Sequence, residues 1–272
     1  SGASNRLYVK TSSFVDRGTR HVIDVDGPRL VAHRALPTPG PAPLDAQTTR
    51  IRVTSSDGEI VPAFIVRPNG DDGLTPRPTL IWAYGGFNIA MNPEFRAVTA
   101  SWVAAGGVLV VPNLRGGGEF GSEWHRAGTK ERKQQVFDDL YAVAEHLIDT
   151  GVTTREQLAL HGRSNGGLLA GAALTQRPDL WAAVLPGVGV LDMQRFHRFT
   201  IGWAWTNDYG DPDDAEDFAY LRARSPLHAA RAGIAYPPTL ITTGDHDDRV
   251  VPAHSFKFAA ALQHAQAGEA PV

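Results

Sequence analysis

The 272-residue chain has no cysteine, which excludes a disulfide framework, a zinc–thiolate site and a cysteine nucleophile together. It also lacks long apolar runs. Stretches such as Val108–Val111 and Trp181–Leu185 fall far short of the roughly 20 residues that cross a bilayer, so no membrane partner is expected. Nor is charge of one sign in excess. The 26 Lys and Arg stand against 29 Asp and Glu, a net charge of −3, and that balance speaks against a nucleic-acid partner. Ser1–Lys10 lack the charged-then-apolar layout of a signal peptide. A cysteine-free chain suits cytosol and periplasm alike, and the cytoplasm is taken as the expected setting. What is present is globular: 42% hydrophobic and 20% charged residues in a length ordinary for an α/β domain.

The chain reads in two unequal parts. Up to about residue 36 the pattern is strand, turn, strand with no helix: Leu7–Lys10, His21–Val25 closed by Asp26-Gly27, then Arg29–Val31. Four prolines in the seven residues Pro37–Pro43 then favour an extended, semi-rigid connection. The expected domains are therefore residues 1–44 and 45–272. A hairpin follows, Arg50–Thr54 and Ile60–Val66 around the Asp57-Gly58 turn, because a tight hairpin turn needs positive φ. From residue 79 strands and helices alternate. Strands are expected at Thr79–Tyr84, Gly107–Val111, Leu158–Leu160, Ala182–Leu185 and Thr239–Thr243, and helices at Phe95–Ala105, Gln134–Thr150, Asn165–Gln176, Asp214–Arg224 and Pro252–His264. That alternation predicts an α/β fold with a mostly parallel sheet covered on both faces.

The chemistry concentrates at Gly162-Arg163-Ser164-Asn165-Gly166, a G-x-S-x-G motif with a strand before it and a helix after it. In that setting the serine occupies a strained turn that lifts its hydroxyl above the sheet edge. Its neighbours must be small, because a β-carbon there would strike the adjoining strand or helix. With 28 glycines in the chain the bare pattern is expected about 0.1 times by chance. A serine hydroxyl needs a histidine to take its proton and an acid to orient that histidine, in the chain order serine, acid, histidine. The acid is expected after the strand Thr239–Thr243, in Gly244–Arg249, where Asp245, Asp247 and Asp248 compete and spacing does not choose. His246, His254 and His264 read as structural or solvent-facing, so the base is expected beyond Val272 and the chain reads as a fragment. Gly116-Gly117-Gly118 lacks the Lys-Ser/Thr of a phosphate loop and reads as a turn.

Five blocks in order, Tyr84–Ile89, Asn113–Glu119, Gly162–Gly167, Trp205–Gly210 and Asp245–Pro252, resemble the prolyl oligopeptidase family of serine peptidases. The resemblance implies an α/β-hydrolase fold, preceded here by the last strands of a β-propeller, with the catalytic domain incomplete at its C-terminal end. It implies Ser164 as nucleophile and Asp247 as the acid. The histidine would lie about forty positions further on. Tyr84 and the backbone N–H of Asn165 would hold the oxyanion. Trp205 would stack on a proline ring, Phe87, Val190, Tyr209 and Val250 would complete an apolar pocket, and Arg249 would bind a substrate carbonyl. The implied activity is hydrolysis of short peptides after proline, with no cofactor and no metal, since the triad and oxyanion hole carry acyl transfer unaided. Arg163 departs from the small residue usual before the serine, and either crowds the turn or points to solvent. Competing readings are an oligopeptidase B-like, dipeptidyl peptidase-like or esterase activity, or a non-catalytic fragment. Without the histidine the 272 residues alone are expected to be nearly inactive.

Overall fold

Residues 5–37, 39–40 and 42–272 are described by a computed structural model. Thr38 and Pro41 of the predicted linker lie outside them. The chain divides into two compact units. The first comprises its described residues up to Thr49, with 66–71 and 92–108. It contains an antiparallel sheet of β1 (Arg6–Thr11), β2 (Thr19–Asp26) and β3 (Arg29–Pro37) in that order. β2 and β3 meet through a two-residue loop, where Gly27 at φ 56° supplies the positive φ. Helix α1 (Ala97–Ala104) also belongs to this unit and ends where the Trp102 indole N–H donates to Val108 O at 2.8 Å.

The second unit holds most of the six-stranded sheet. Its strands are β4 (Ala46–Thr54), β5 (Ile60–Pro68), β6 (Thr79–Trp82), β7 (Val108–Pro112), β8 (Leu158–Arg163) and β9 (Ala183–Gly187). The order is β4-β5-β7-β6-β8-β9, and β6, β8 and β9 run parallel. The Asp57-Gly58 turn joins β4 to β5 as its sequence requires, with Gly58 at φ 91°. Helices α2 (Ser122–Arg126), α3 (Gln134–Asp149), α4 (Asn165–Gln176), α5 (Thr206–Tyr209), α6 (Ala215–Ala223), α7 (Pro226–Ala229) and α8 (Ala253–Ala265) complete it. The apolar stripe of α3 is buried through Val136, Leu140, Val143, Ala144 and Leu147, the spacing of one helix face. The five residues of β7 are all buried, as in a strand covered on both sides.

The strand expected at Thr239–Thr243 is present only as two isolated parallel bridges to β9, Val184↔Thr239 and Gly187↔Thr242. The backbone still reaches across: Leu240 and Thr242 donate to Val184 O and Pro186 O at 3.0 and 3.1 Å, and Val188 donates to Thr242 O at 2.7 Å. Pro186 has no N–H to give to this segment, so the ladder is broken at its centre.

Two buried polar centres brace the fold. Asp139 on α3 is fully buried and accepts from the Arg115 guanidinium (2.6 Å), the Arg115 backbone N–H (3.1 Å) and the Ser55 hydroxyl (2.6 Å). Removing one partner of such a buried pair costs about 3–5 kcal/mol. At the start of α8, buried His254 accepts the Asp192 N–H on Nδ1 at 3.1 Å, while Nε2 meets no partner among the described residues. Burial pushes the His254 ring down to about 4. Between pH 6.5 and about 4 the unfolded chain therefore takes up a proton that the folded chain refuses. Stability should fall as pH drops through that window, by on the order of 3 kcal/mol in all. Urea unfolding at stepped pH should show this loss, and His254→Gln, which cannot take up that proton, should flatten it. An equal slope in both proteins would clear His254 of the effect.

Candidate active site

β8 ends at Arg163 and α4 begins at Asn165, so Ser164 alone makes the turn. Its backbone sits at φ 57°, ψ −118°, a conformation costly to any residue with a β-carbon. Three bonds fix it. Its N–H donates to Gly187 O on β9 at 2.9 Å, and its own carbonyl accepts the N–H groups of Gly167 and Leu168 at 2.9 and 3.1 Å. The glycines around it leave no room for substitution. A β-carbon at Gly162 would lie 2.1 Å from Gly166 O, one at Gly166 2.5 Å from Ala83 O, and one at Gly167 2.5 Å from the Gly189 Cα. Arg163 is exposed, so it points to solvent and does not crowd the turn.

Opposite lies the turn that leaves β6. Gly85 has φ 62°, and Phe87 and Asn88 follow at 54° and 55° although neither is glycine. Asn165 ties this turn to α4. Its Nδ2 donates to Tyr84 O at 2.6 Å, and its Oδ1 accepts the Tyr209 hydroxyl at 3.0 Å. Gly86 packs against that amide, since a β-carbon there would stand 2.6 Å from Nδ2. As the first residue of α4, Asn165 has a backbone N–H with no acceptor inside the helix. Burial raises the Tyr84 phenol above its ordinary range, opposed by its interaction with the Ser164 hydroxyl. At neutral pH it is a neutral O–H donor.

A cavity of about 250 Å³ is walled by Ser164, Tyr84, Phe87, Val190, Trp205, Tyr209 and Arg249. Ile89, Ile201 and Ala204 also line it, and sequence reasoning had not selected them. Its aromatic side is closely packed. Phe87 and Tyr209 meet edge to face at 5.1 Å, Tyr209 meets buried Phe196 at 5.3 Å, and Phe196 stacks on Trp205 at 6.4 Å. Phe196 is a further omission, one that no motif marks. Val250, expected on the pocket wall, is buried away from it. Its N–H and that of Arg249 both donate to Asp247 Oδ1, at 2.9 and 3.0 Å. Asp247 is thus half-buried and held, whereas Asp245 and Asp248 are exposed. Asp247 is not on the cavity wall itself, but Arg249, two residues along, is. His246 and His264 are exposed and His254 is buried on Asp192. Among the described residues no histidine lines the cavity.

A parallel-sheet edge, a serine on a strained strand-to-helix turn and a facing donor define an α/β-hydrolase. Residues 93–271 match the model of the prolyl oligopeptidase family, and the chain belongs to that family of serine peptidases. It is 45% identical over 267 residues to a prolyl endopeptidase of Elizabethkingia miricola, covering 98% of this chain and 38% of the relative. Prolyl oligopeptidase B of Galerina marginata, solved bound to a 35mer hydrolysis and macrocyclization substrate, superposes with a TM-score of 0.89 at 34% identity. That match covers 98% of this chain and 38% of the other. Oligopeptidase B of Leishmania major gives 0.92 at 27% identity over 98% and 38% of the two chains. The chain thus spans little more than a third of the relatives it matches. The family joins a β-propeller to an α/β-hydrolase domain, and sheets of both kinds are present here.

The two tight glycines should differ in cost. At Gly166 a methyl group meets a backbone carbonyl, at Gly86 a side-chain amide that yields only by giving up bonds to Tyr84 O and the Tyr209 hydroxyl. Gly86→Ala should cost about 1–3 kcal/mol in urea unfolding, and Gly166→Ala more than that. The reverse order would contradict this packing.

Proposed function

We propose that the protein carrying this chain hydrolyses short peptides on the carboxyl side of proline, through an acyl-enzyme on Ser164. The observation that carries this is the shared wall: Ser164 and Tyr84 border the same small cavity as Trp205, Phe87 and Val190. A proline ring is compact, apolar and without an N–H, and an aromatic-sided cavity of about 250 Å³ suits it. Ser164 Oγ attacks the scissile carbonyl. The negative charge that develops on the carbonyl oxygen is taken by the Tyr84 O–H and the Asn165 N–H, donors already in place before reaction. Arg249, exposed at the cavity, binds a peptide carbonyl of the substrate. Val250 supports this arrangement from behind by anchoring Asp247.

Ser164 needs a base, and Asp247 is prepared to orient one. Its Oδ1 is engaged by two backbone N–H groups, which leaves Oδ2 for an imidazole N–H. We assign that base to a histidine outside these 272 residues, because His246, His254 and His264 are exposed or already committed. We likewise assign residues through 44 to the last strands of a propeller and those from 45 to the hydrolase domain.

A preference for arginine would call for carboxylates in the cavity, and among the described residues its only ionic lining group is Arg249. This favours proline over the oligopeptidase B-like reading. Turnover of matched anilides ending in Pro, Arg or Ala, and of short acyl esters, tests it. Proline should lead arginine by at least 100-fold in kcat/KM. Ser164→Ala should lose on the order of 10⁶, and Tyr84→Phe about 10²–10³ in kcat. Equal cleavage after arginine, or turnover surviving in Ser164→Ala, would overturn the proposal.

A further inference from the structure

Beneath the Tyr84–Asn88 turn lies an ionic cluster that neither the cavity nor the triad uses. Lys133, at the entry to α3, is buried and donates from Nζ to Gly85 O at 2.8 Å. Its ammonium sits 3.9 Å from Asp208 Oδ2 and 5.6 Å from the centre of the Tyr209 ring. Asp208, also buried, accepts the Phe87 N–H at 3.2 and 3.4 Å on its two oxygens. His125 on α2 donates from Nε2 to Asp208 Oδ1 at 2.7 Å. Thus the carbonyl of Gly85 and the amide of Phe87, on either side of Gly86, are gripped by opposite charges that also grip each other.

Such a grip has a purpose that packing alone does not supply. Phe87 and Asn88 stand at positive φ, and a backbone held there persists only where its surroundings over-determine it. A turn free to relax would carry Tyr84 with it. Burial leads in raising the Tyr84 phenol, and the Asp208 charge adds to it, which keeps the hydroxyl a donor.

We propose that Asp208, clamped by His125 and Lys133, is a positioning residue for the oxyanion donor, holding the turn so that the Tyr84 hydroxyl faces the reacting carbonyl oxygen. This rests on the reaction proposed above for Ser164. Asp208 touches no substrate; it acts through Tyr84.

A double-mutant cycle in the protein carrying this chain tests it. Asp208→Asn, nearly isosteric, should lower kcat for a proline anilide by about 10- to 100-fold with KM changed less than threefold. In a Tyr84→Phe background the same substitution should cost less than threefold, because the donor it positions is already gone. His125→Gln keeps an N–H for Asp208 and should retain activity within threefold, whereas His125→Ala should follow Asp208→Asn. Losses that multiply in the double variant, or no rescue by glutamine, would overturn the clamp. Amide exchange at Phe87 requires no turnover. It should quicken at least tenfold in Asp208→Asn while β7 and β8 keep their protection, and unchanged exchange would equally overturn the clamp. Phosphonylation of Ser164 by a fluorophosphonate separates the two readings. A protein that ignores proline anilides, yet shows the same cycle in its phosphonylation rate, refutes the peptide specificity and upholds the clamp.

Discussion

A serine at φ 57° and ψ −118° lies outside the basins that a residue with a β-carbon occupies freely. The surrounding architecture follows from holding it there. β8 must stop one residue before the serine and α4 must start one residue after it, which brings helix, β6 and the β9 loop to within van der Waals range of the turn. Only glycine fits where these backbones cross, and Gly162, Gly166, Gly167 and Gly189 occupy those crossings. The hydrogen bond from Ser164 N–H to Gly187 O explains why β9 is required: it supplies the acceptor that stops the turn from unwinding toward a relaxed conformation.

The second strained segment, Tyr84 to Asn88, is not independent of the first. Asn165 uses both ends of its amide, one on Tyr84 O and the other on the Tyr209 hydroxyl. An aspartate there would lack the N–H for Tyr84, and a leucine would leave a carbonyl and a buried hydroxyl unpaired, at about 1–3 kcal/mol each. The residue after the serine therefore does two things. Its backbone offers an N–H beside Ser164, and its side chain ties α4 to the turn that carries the phenol. The two donors assigned to the oxyanion are in this way parts of one connected unit.

Much of this was legible in the sequence, for reasons that also mark where legibility ends. G-x-S-x-G between a strand and a helix is local, and local backbone demands write themselves into local residues. The same holds for the Asp57-Gly58 hairpin and the apolar face of α3. The ladder beside β9 was not legible as two bridges, because the interruption comes from Pro186 on the neighbouring strand and not from Thr239–Thr243 itself. Spacing left three aspartates open; burial and the bonds from Arg249 and Val250 separate Asp247 from Asp245 and Asp248. Ile89, Ile201, Ala204 and Phe196 reach the cavity or its aromatic backing by tertiary packing, and no spacing rule announces that. Lys133 and His125 carry no motif; only the fold reveals that an ammonium and an imidazole nitrogen converge on Asp208, 75 and 83 residues away.

The placement of charge follows a consistent physical logic. Ionic groups are costly where water is excluded unless each has a partner, and the two buried under the turn are paired: Lys133 with Gly85 O and Asp208, Asp208 with Phe87 N–H and His125. The cavity side of the same turn carries neutral or apolar groups, with Arg249 as the exposed exception. A carbonyl oxygen acquiring charge beside Tyr84 would then meet O–H and N–H dipoles held in place beforehand, the condition in which such dipoles are most effective. Had Lys133 stood on the cavity side, its ammonium would have attracted any passing carboxylate and would itself have drawn a developing oxyanion. Set behind the backbone, Lys133 holds Gly85 O and Asp208 instead, and the cavity face of the turn is left to the neutral Tyr84 phenol.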